Sequence, residues 1–462
     1  MHILSLVFQI KQDCKTPLLP RLLLFLFLLL EAGCAPYLVV SGGIVNRDKV
    51  QEIKKGVSAL RGLAFKAEVP IEVKTKAEMG RHLEAELQRE YGDEQLESLS
   101  LVYAKLGLIP KGLDLKKVLL DFYTAQVAAF YDPKAKKLVL PEELSGGMLV
   151  GAVQLLAQRD IVGEMVLAHE LTHALQDQHF SLDQRLGRSG NDDRTLAFRA
   201  VAEGDATLSG FGTLFGGMDS RLLMQVNQAV QTSMGQARSS LPSVPEAILE
   251  ELLFQYYGGV SFVSRMLDKA GWHGINLLYD SPPLSTEQVL HPEKYLDQPD
   301  RPTHVDLKDL SSLFSSGWKE IENNVLGELM VRVLFKQFLS EEEATMMAQG
   351  WDGDRLVAFR RGDEVAFVWA TVWDSEKEAE EFLRGYEQIL SKKYGDSDGA
   401  DFPATIERRD HRVVVVEGLA QAHVKDHIEK IWQSMELKEE TLTPRESETQ
   451  KENDRAQSRV DL

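Results

Sequence analysis

Asp160-Ile161-Val162-Gly163-Glu164-Met165-Val166-Leu167-Ala168-His169-Glu170-Leu171-Thr172-His173-Ala174-Leu175 is the stretch that decides how this chain is read. Its apolar residues recur at helical spacing, and Asp160 is placed to cap a helix running through Ile161, Val162, Met165 and Val166 and on past His173, with Gly163 a mild weakness. On such a helix four residues advance about 400°, so His169 and His173 project from one face, one turn apart. Two neutral imidazoles placed this way can converge on one cation, and zinc is the ion they suit. Glu170, adjacent to the first imidazole, reaches the water on that cation rather than the cation, and can take its proton as it attacks a carbonyl.

Accident explains the pattern poorly. With 11 His in 462 residues and Glu at roughly one residue in twelve, chance gives about 0.02 occurrences per chain of this composition. The plain alternative is a solvated helix with two surface histidines. Met165, Val166, Leu167, Ala168, Leu171, Ala174 and Leu175 argue for a core helix instead, and a buried face carrying two His and a Glu needs partners. A catalytic zinc also takes a third protein ligand and keeps one position open. His179 is one candidate, but on a continuing helix it lies about 240° around the axis from His173 and points away. Glu203, in Ala202-Glu203-Gly204-Asp205-Ala206 on a second helix capped by Asn191-Asp192-Asp193, is the preferred one.

His169-Glu170-Leu171-Thr172-His173 followed by Glu203 resembles the gluzincin metallopeptidases, and Glu203-Gly204-x-Ala206 resembles the third-ligand motif of the aminopeptidase N-like group. The metzincin pattern needs a glycine where this chain has Gln176. The resemblance covers about 100 residues and implies a zincin-like fold, zinc as cofactor, a protein or peptide substrate, and peptide-bond hydrolysis with Glu170 as general base. It further implies that Asp205 orients a ligand imidazole from behind, although thermolysin-like enzymes carry the comparable Asp four residues after the Glu rather than two. Residues 137–140, in the hairpin before the motif, become either a substrate-pairing strand or an ordinary core strand. An oxyanion donor is also needed; His291, with Tyr279 and Tyr295 as further candidates, lies in a polar, proline-marked region that can border a cleft.

The N-terminus is a different material. Lys11, Lys15 and Arg21 precede nine apolar residues, 22–30, and then Ala32-Gly33-Cys34-Ala35, the layout of an export signal. Nine residues of helix span about 14 Å against a hydrocarbon core of about 30 Å, so a permanent span is disfavoured. Ala32-Gly33-Cys34 resembles a bacterial lipobox, although Glu31 stands where Leu is usual. Two outcomes stay open: lipidation at Cys34 with a membrane anchor, or cleavage near Ala35 and release. Either places the protein in the cell envelope or outside the cell. Cys14 and Cys34 are the only cysteines, so the folded part has no disulfide or thiolate site, and a metal must be held by His and carboxylate. The 71 acidic against 52 basic residues, a formal charge of -19, exclude nonspecific binding to nucleic acid.

The remaining pattern reads as an α+β chain. Residues 1–34 are the signal. Residues 35–340 form a mainly helical zincin-like domain with a short hairpin, Phe130-Tyr131 against Lys137-Leu138 across Asp132-Pro133-Lys134. Residues 341–436 form a small α+β unit with hairpins turning at Arg361-Gly362-Asp363 and before Arg412, and helices over 377–393 and 422–435. Residues 437–462 are a polar tail expected to be disordered. A reading from another class is an envelope assembly or chaperone-like protein whose zinc helix is mainly structural; Glu170 discriminates, since a purely structural site has no use for a base beside its first ligand. Hydrolysis of a non-peptide amide is a third.

Overall fold

The structure is a computed structural model that describes residues 38–126, 129–142, 159–185, 190–310, 313–314, 316–395 and 402–439. The export segment with Cys34, and residues 440–462 of the tail, lie outside the described residues; residues 437–439, expected to be disordered, belong instead to the last strand, Met435–Glu439. Among those described, no helix is long and apolar enough to cross a membrane. The chain is mixed α+β, as expected.

It begins with a short ladder, β1 (Val40–Ser41) and β2 (Ile44–Val45), and helix α1 (Arg47–Arg61). Strand β3 (Ile71–Lys74), helices α2 (Lys76–Glu90), α3 (Asp93–Leu106) and α4 (Leu115–Gln126), and strands β4 (Phe130–Asp132) and β5 (Lys137–Pro141) follow. Next come α5 (Ile161–Phe180), α6 (Leu182–Arg185), α7 (Asp192–Phe215), α8 (Ser220–Ser240) and α9 (Glu246–Asp280). Short helices α10 (Thr286–Leu290) and α11 (Glu293–Leu296) lead to β6 (Thr303–Leu307), β7 (Lys319–Asn324), α12 (Gly327–Lys336) and α13 (Glu341–Ala348). The chain closes with β8 (Trp351–Arg361), β9 (Glu364–Trp373), α14 (Glu376–Tyr394), β10 (Ala404–Arg409), β11 (Arg412–Glu417), α15 (Gln421–Lys425), α16 (Ile428–Ser434) and β12 (Met435–Glu439).

Both caps anticipated around the site form. The Asp160 carboxylate accepts from the Gly163 N–H at 2.9 Å and Asn191 accepts from the Arg194 N–H at 2.9 Å, so α5 and α7 start where their sequences dictate. Asp160 also accepts from the Val39 N–H, which ties the start of α5 to the first strand. Sheet β3-β5-β4, with β3 and β5 parallel and β4 and β5 antiparallel, packs with α1 on the apolar side of α5 through Leu138, Leu140, Leu167, Leu171 and Leu175.

The larger sheet is antiparallel, in the order β10-β11-β9-β8-β7. One face carries Val357, Val368, Val372, Val414 and Val416 against Val305, Ile431 and Trp432; the other carries Leu356, Phe367 and Trp369 against α14 and the helical layer. Elements on both sides of residue 340 share this second cluster, where Phe254 and Leu334 pack in one core with Trp369 and Phe382. The sheet also draws β7 from before residue 341, and β6 pairs with β12 from beyond residue 434. The helix expected over 422–435 is two short helices, because α15 stops at Asp426 and α16 starts after His427.

Candidate metal centre

Helix α7 lies between α5 and α9, and glycines set how closely. A Cβ on Gly204 would collide with the Gly259 carbonyl of α9, and one on Gly259 with the Ala200 carbonyl, so the two backbones touch next to Glu203. This approach fixes the height at which Glu203 leaves α7 and faces α5.

His169 Nε2 and His173 Nε2 are 3.0 Å apart, and Glu203 Oε2 lies 3.2 Å from the first and 3.5 Å from the second. Donors held about 2.05 Å from a tetrahedral cation stand about 3.4 Å from one another, so three donors from two helices sit at coordination spacing. Glu203 Oε2 is buried and makes no well-directed hydrogen bond among the described residues, the condition of an oxygen that faces a cation site rather than a donor. Burial opposes charge on both partners, yet Glu203 raises the His173 imidazole to about 9 and the imidazoles hold Glu203 well below the ordinary carboxylate range. With a divalent cation in place of the shared proton, the same group would hold it by two nitrogens and one oxygen.

The far side of His173 is occupied by a residue that sequence reasoning passed over. His173 Nδ1 is 2.9 Å from Gln176 Oε1, so it carries the proton and Nε2 keeps its lone pair for the centre. Gln176 in turn donates to Asp205 Oδ2 at 2.9 Å and to the Ala202 carbonyl. Asp205 therefore does not accept from a ligand imidazole, as the resemblance implied. Its fully buried carboxylate is taken by Arg61, Tyr279, Ser209 and Gln176, and it acts on His173 through Gln176. A glycine at 176 would turn the chain; the glutamine continues α5, and His179 ends up on the far side with Nε2 2.8 Å from the Ala64 carbonyl.

Glu170 points toward strand β4. Its Oε2 accepts the Tyr131 backbone N–H at 2.7 Å, and burial pushes its carboxyl up, partly offset by His169 and His173. The Tyr131 hydroxyl donates to Asp177 at 2.8 Å, so one residue ties β4 to α5 twice. Residues 137–140 are the core alternative of the two offered for them: β5 is paired on both edges, by β3 and β4, and has no backbone left to offer a peptide. The two edges of this sheet belong to β3 and β4, and β4 is the one that Glu170 of α5 contacts.

Tyr131, His173, Glu203, Arg199, Gln255 and Glu90 line one open cleft of about 440 Å³. His291 is not among its lining residues. Its Nε2 lies 2.9 Å from Glu328 Oε1, and the polar, proline-marked region that suggested it is a buried network joining α10 to α12. Tyr295 bonds the Ser281 carbonyl and Tyr279 is spent on Asp205, so neither serves as a donor here. Tyr256 fits better. The charge on Glu203, then burial, then Glu170, push its phenol well above the ordinary range, so it keeps its proton in the field of the site. Gly258-Gly259 was the available signal, since adjacent glycines inside a helix mark a close approach there. The comparisons fall elsewhere. A family model described as a domain of unknown function (DUF8575) matches residues 313–428, the region of the large sheet and not the His and Glu cluster. No curated protein and no solved structure matches the chain.

Proposed function

We propose that this chain is a zinc-dependent peptidase acting on protein or peptide substrates in the cell envelope. One observation carries the reading: the convergence of His169, His173 and Glu203 at 3.0 to 3.5 Å beside the Glu170 carboxylate. Zinc held there would supply Lewis acidity to a water and a carbonyl. Glu170, aimed by the Tyr131 N–H and with its carboxyl raised by burial, takes the proton of the attacking water. Three protein donors rather than four, among the described residues, support a catalytic centre over a structural one.

Glu170→Gln tests this directly. It keeps size and polarity, leaves both imidazoles in place and removes the proton acceptor. Zinc content by elemental analysis and melting temperature stay at wild-type values, while peptidase activity falls by about 10² to 10⁴ and uncleaved substrate accumulates in envelope fractions. Full complementation of a deletion by this variant, with no envelope peptide changed in abundance, would overturn the reading in favour of a scaffold.

A further inference from the structure

A second group of metal-ligating side chains lies beside the same cleft, whose lining includes its Glu86. His82 and Glu86 sit one turn apart on α2 and face Asp132 at the end of β4. His82 Nε2 is 3.5 Å from Glu86 Oε1 and 3.6 Å from Asp132 Oδ2. These separations are too long for good hydrogen bonds and close to the spacing of about 3.4 Å expected between two ligands of one tetrahedral ion. The Nε2 atom is buried and has no hydrogen-bond partner among the described residues. An imidazole serving only as a salt-bridge cation would donate from that nitrogen; this one does not.

The surroundings hold the group in place. Asp132 is 4% exposed, and its Oδ1 accepts from the Lys134 and Ala135 N–H groups at 2.9 and 2.8 Å. That turn fixes the carboxylate and leaves Oδ2 toward His82. The Phe130 ring, 4.9 Å away and tilted by 32°, backs the imidazole. Arg89 contacts the same Glu86 oxygen, but its side chain is 42% exposed and can turn to solvent when a cation arrives.

We infer that His82, Glu86 and Asp132 form a second divalent-cation site, distinct from the His169, His173 and Glu203 centre. One imidazole nitrogen with two carboxylate oxygens selects an ion of the zinc, cobalt or manganese type; calcium and magnesium prefer oxygen alone. The site positions rather than reacts. It ties α2 to β4, the strand whose Tyr131 N–H holds Glu170, so its occupancy stiffens the strand along which the cleft runs. The inference does not depend on the peptidase reading, because metal binding alone tests it.

The experiment is metal titration of the mature full-length protein after chelation, with Zn²⁺ and Co²⁺ as probes. Bound ions are counted by elemental analysis and folding is checked by circular dichroism. Wild-type protein binds two ions; His82→Ala binds one; folded His169→Ala/His173→Ala protein also binds one, and adding His82→Ala to that pair removes it. Zinc raises the melting temperature of the His169→Ala/His173→Ala protein and has no effect once His82→Ala is added. Where His82→Ala does not fold, Asp132→Asn replaces it, since the amide oxygen keeps the turn and removes the charged ligand. His82→Ala or Asp132→Asn binding as many ions as wild type, or folded His169→Ala/His173→Ala protein binding none, overturns the second site. A wild-type protein whose single ion survives His169→Ala/His173→Ala supports the second site and removes the first, so the two readings fail separately.

Discussion

Two buried carboxylates show how differently this molecule treats a charge. Asp354, at the centre of the large sheet, has both oxygens filled, by the Leu326 and Gly327 N–H groups at 2.9 and 2.8 Å and by the indoles of Trp351 and Trp369 at 2.9 and 3.2 Å. Glu203, between α5 and α7, has one oxygen facing two imidazoles and no well-directed donor. The first arrangement repays desolvation within the fold, and four donors from three elements depend on it. The second leaves the repayment to something that binds. A buried charge with its donors in place holds structure together; one without them marks where the protein expects a ligand.

Exchanging the two carboxylates for alanine draws the sharpest contrast. Glu203→Ala removes the zinc held with His169 and His173, one of the two ions counted in wild type by elemental analysis, while metal-free protein keeps its denaturation midpoint, because no donor network collapses. Asp354→Ala does the reverse: zinc content is unchanged and unfolding free energy falls by about 3 kcal/mol, since buried N–H groups lose their acceptor. Equal loss of zinc in the two variants would mean that both act through global unfolding, and the contrast would disappear.

A smaller effect tests the relay behind the centre. Gln176→Leu removes the acceptor for His173 Nδ1 and one donor to Asp205 while keeping volume, and zinc affinity measured by competition with a chelator drops about 10 to 100-fold. No change would mean that the tautomer of His173 is set elsewhere and that the chain from Arg61 through Asp205 serves packing alone.

What could be read from the sequence was local. The caps at Asp160 and Asn191, the spacing of His169 and His173, the Phe130 and Lys137 hairpin and the turn at Gly362 each depend on residues within a few positions, and each was legible. Helix geometry alone turns His179 away, and the structure places Glu203 beside the two imidazoles. What escaped depends on partners far along the chain. Strand β7, Lys-Glu-Ile-Glu-Asn-Asn, has almost no strand-like composition and is extended because β8 offers an edge. Gln176 and Tyr131 matter only because α7 and β4 arrive beside α5. His291 was drawn from a polar stretch that looked like a cleft border; Thr286 donates there to Asp193 and Gln288 to the Asp300 carbonyl, which marks a seam between elements.

The pairing of β6 with β12, Thr303 opposite Glu439 and Leu307 opposite Met435, has a consequence for how such a chain is assembled. It brings the two ends of the large-sheet region side by side, enclosing the matched residues 313–428 between them. Segments whose ends meet can be inserted or exchanged between chains, but this one is not self-contained, because its Trp369 and Phe382 pack in one core with Phe254 of α9. The family model covers that segment alone, and in this chain it lies beyond the cluster of His169, His173 and Glu203.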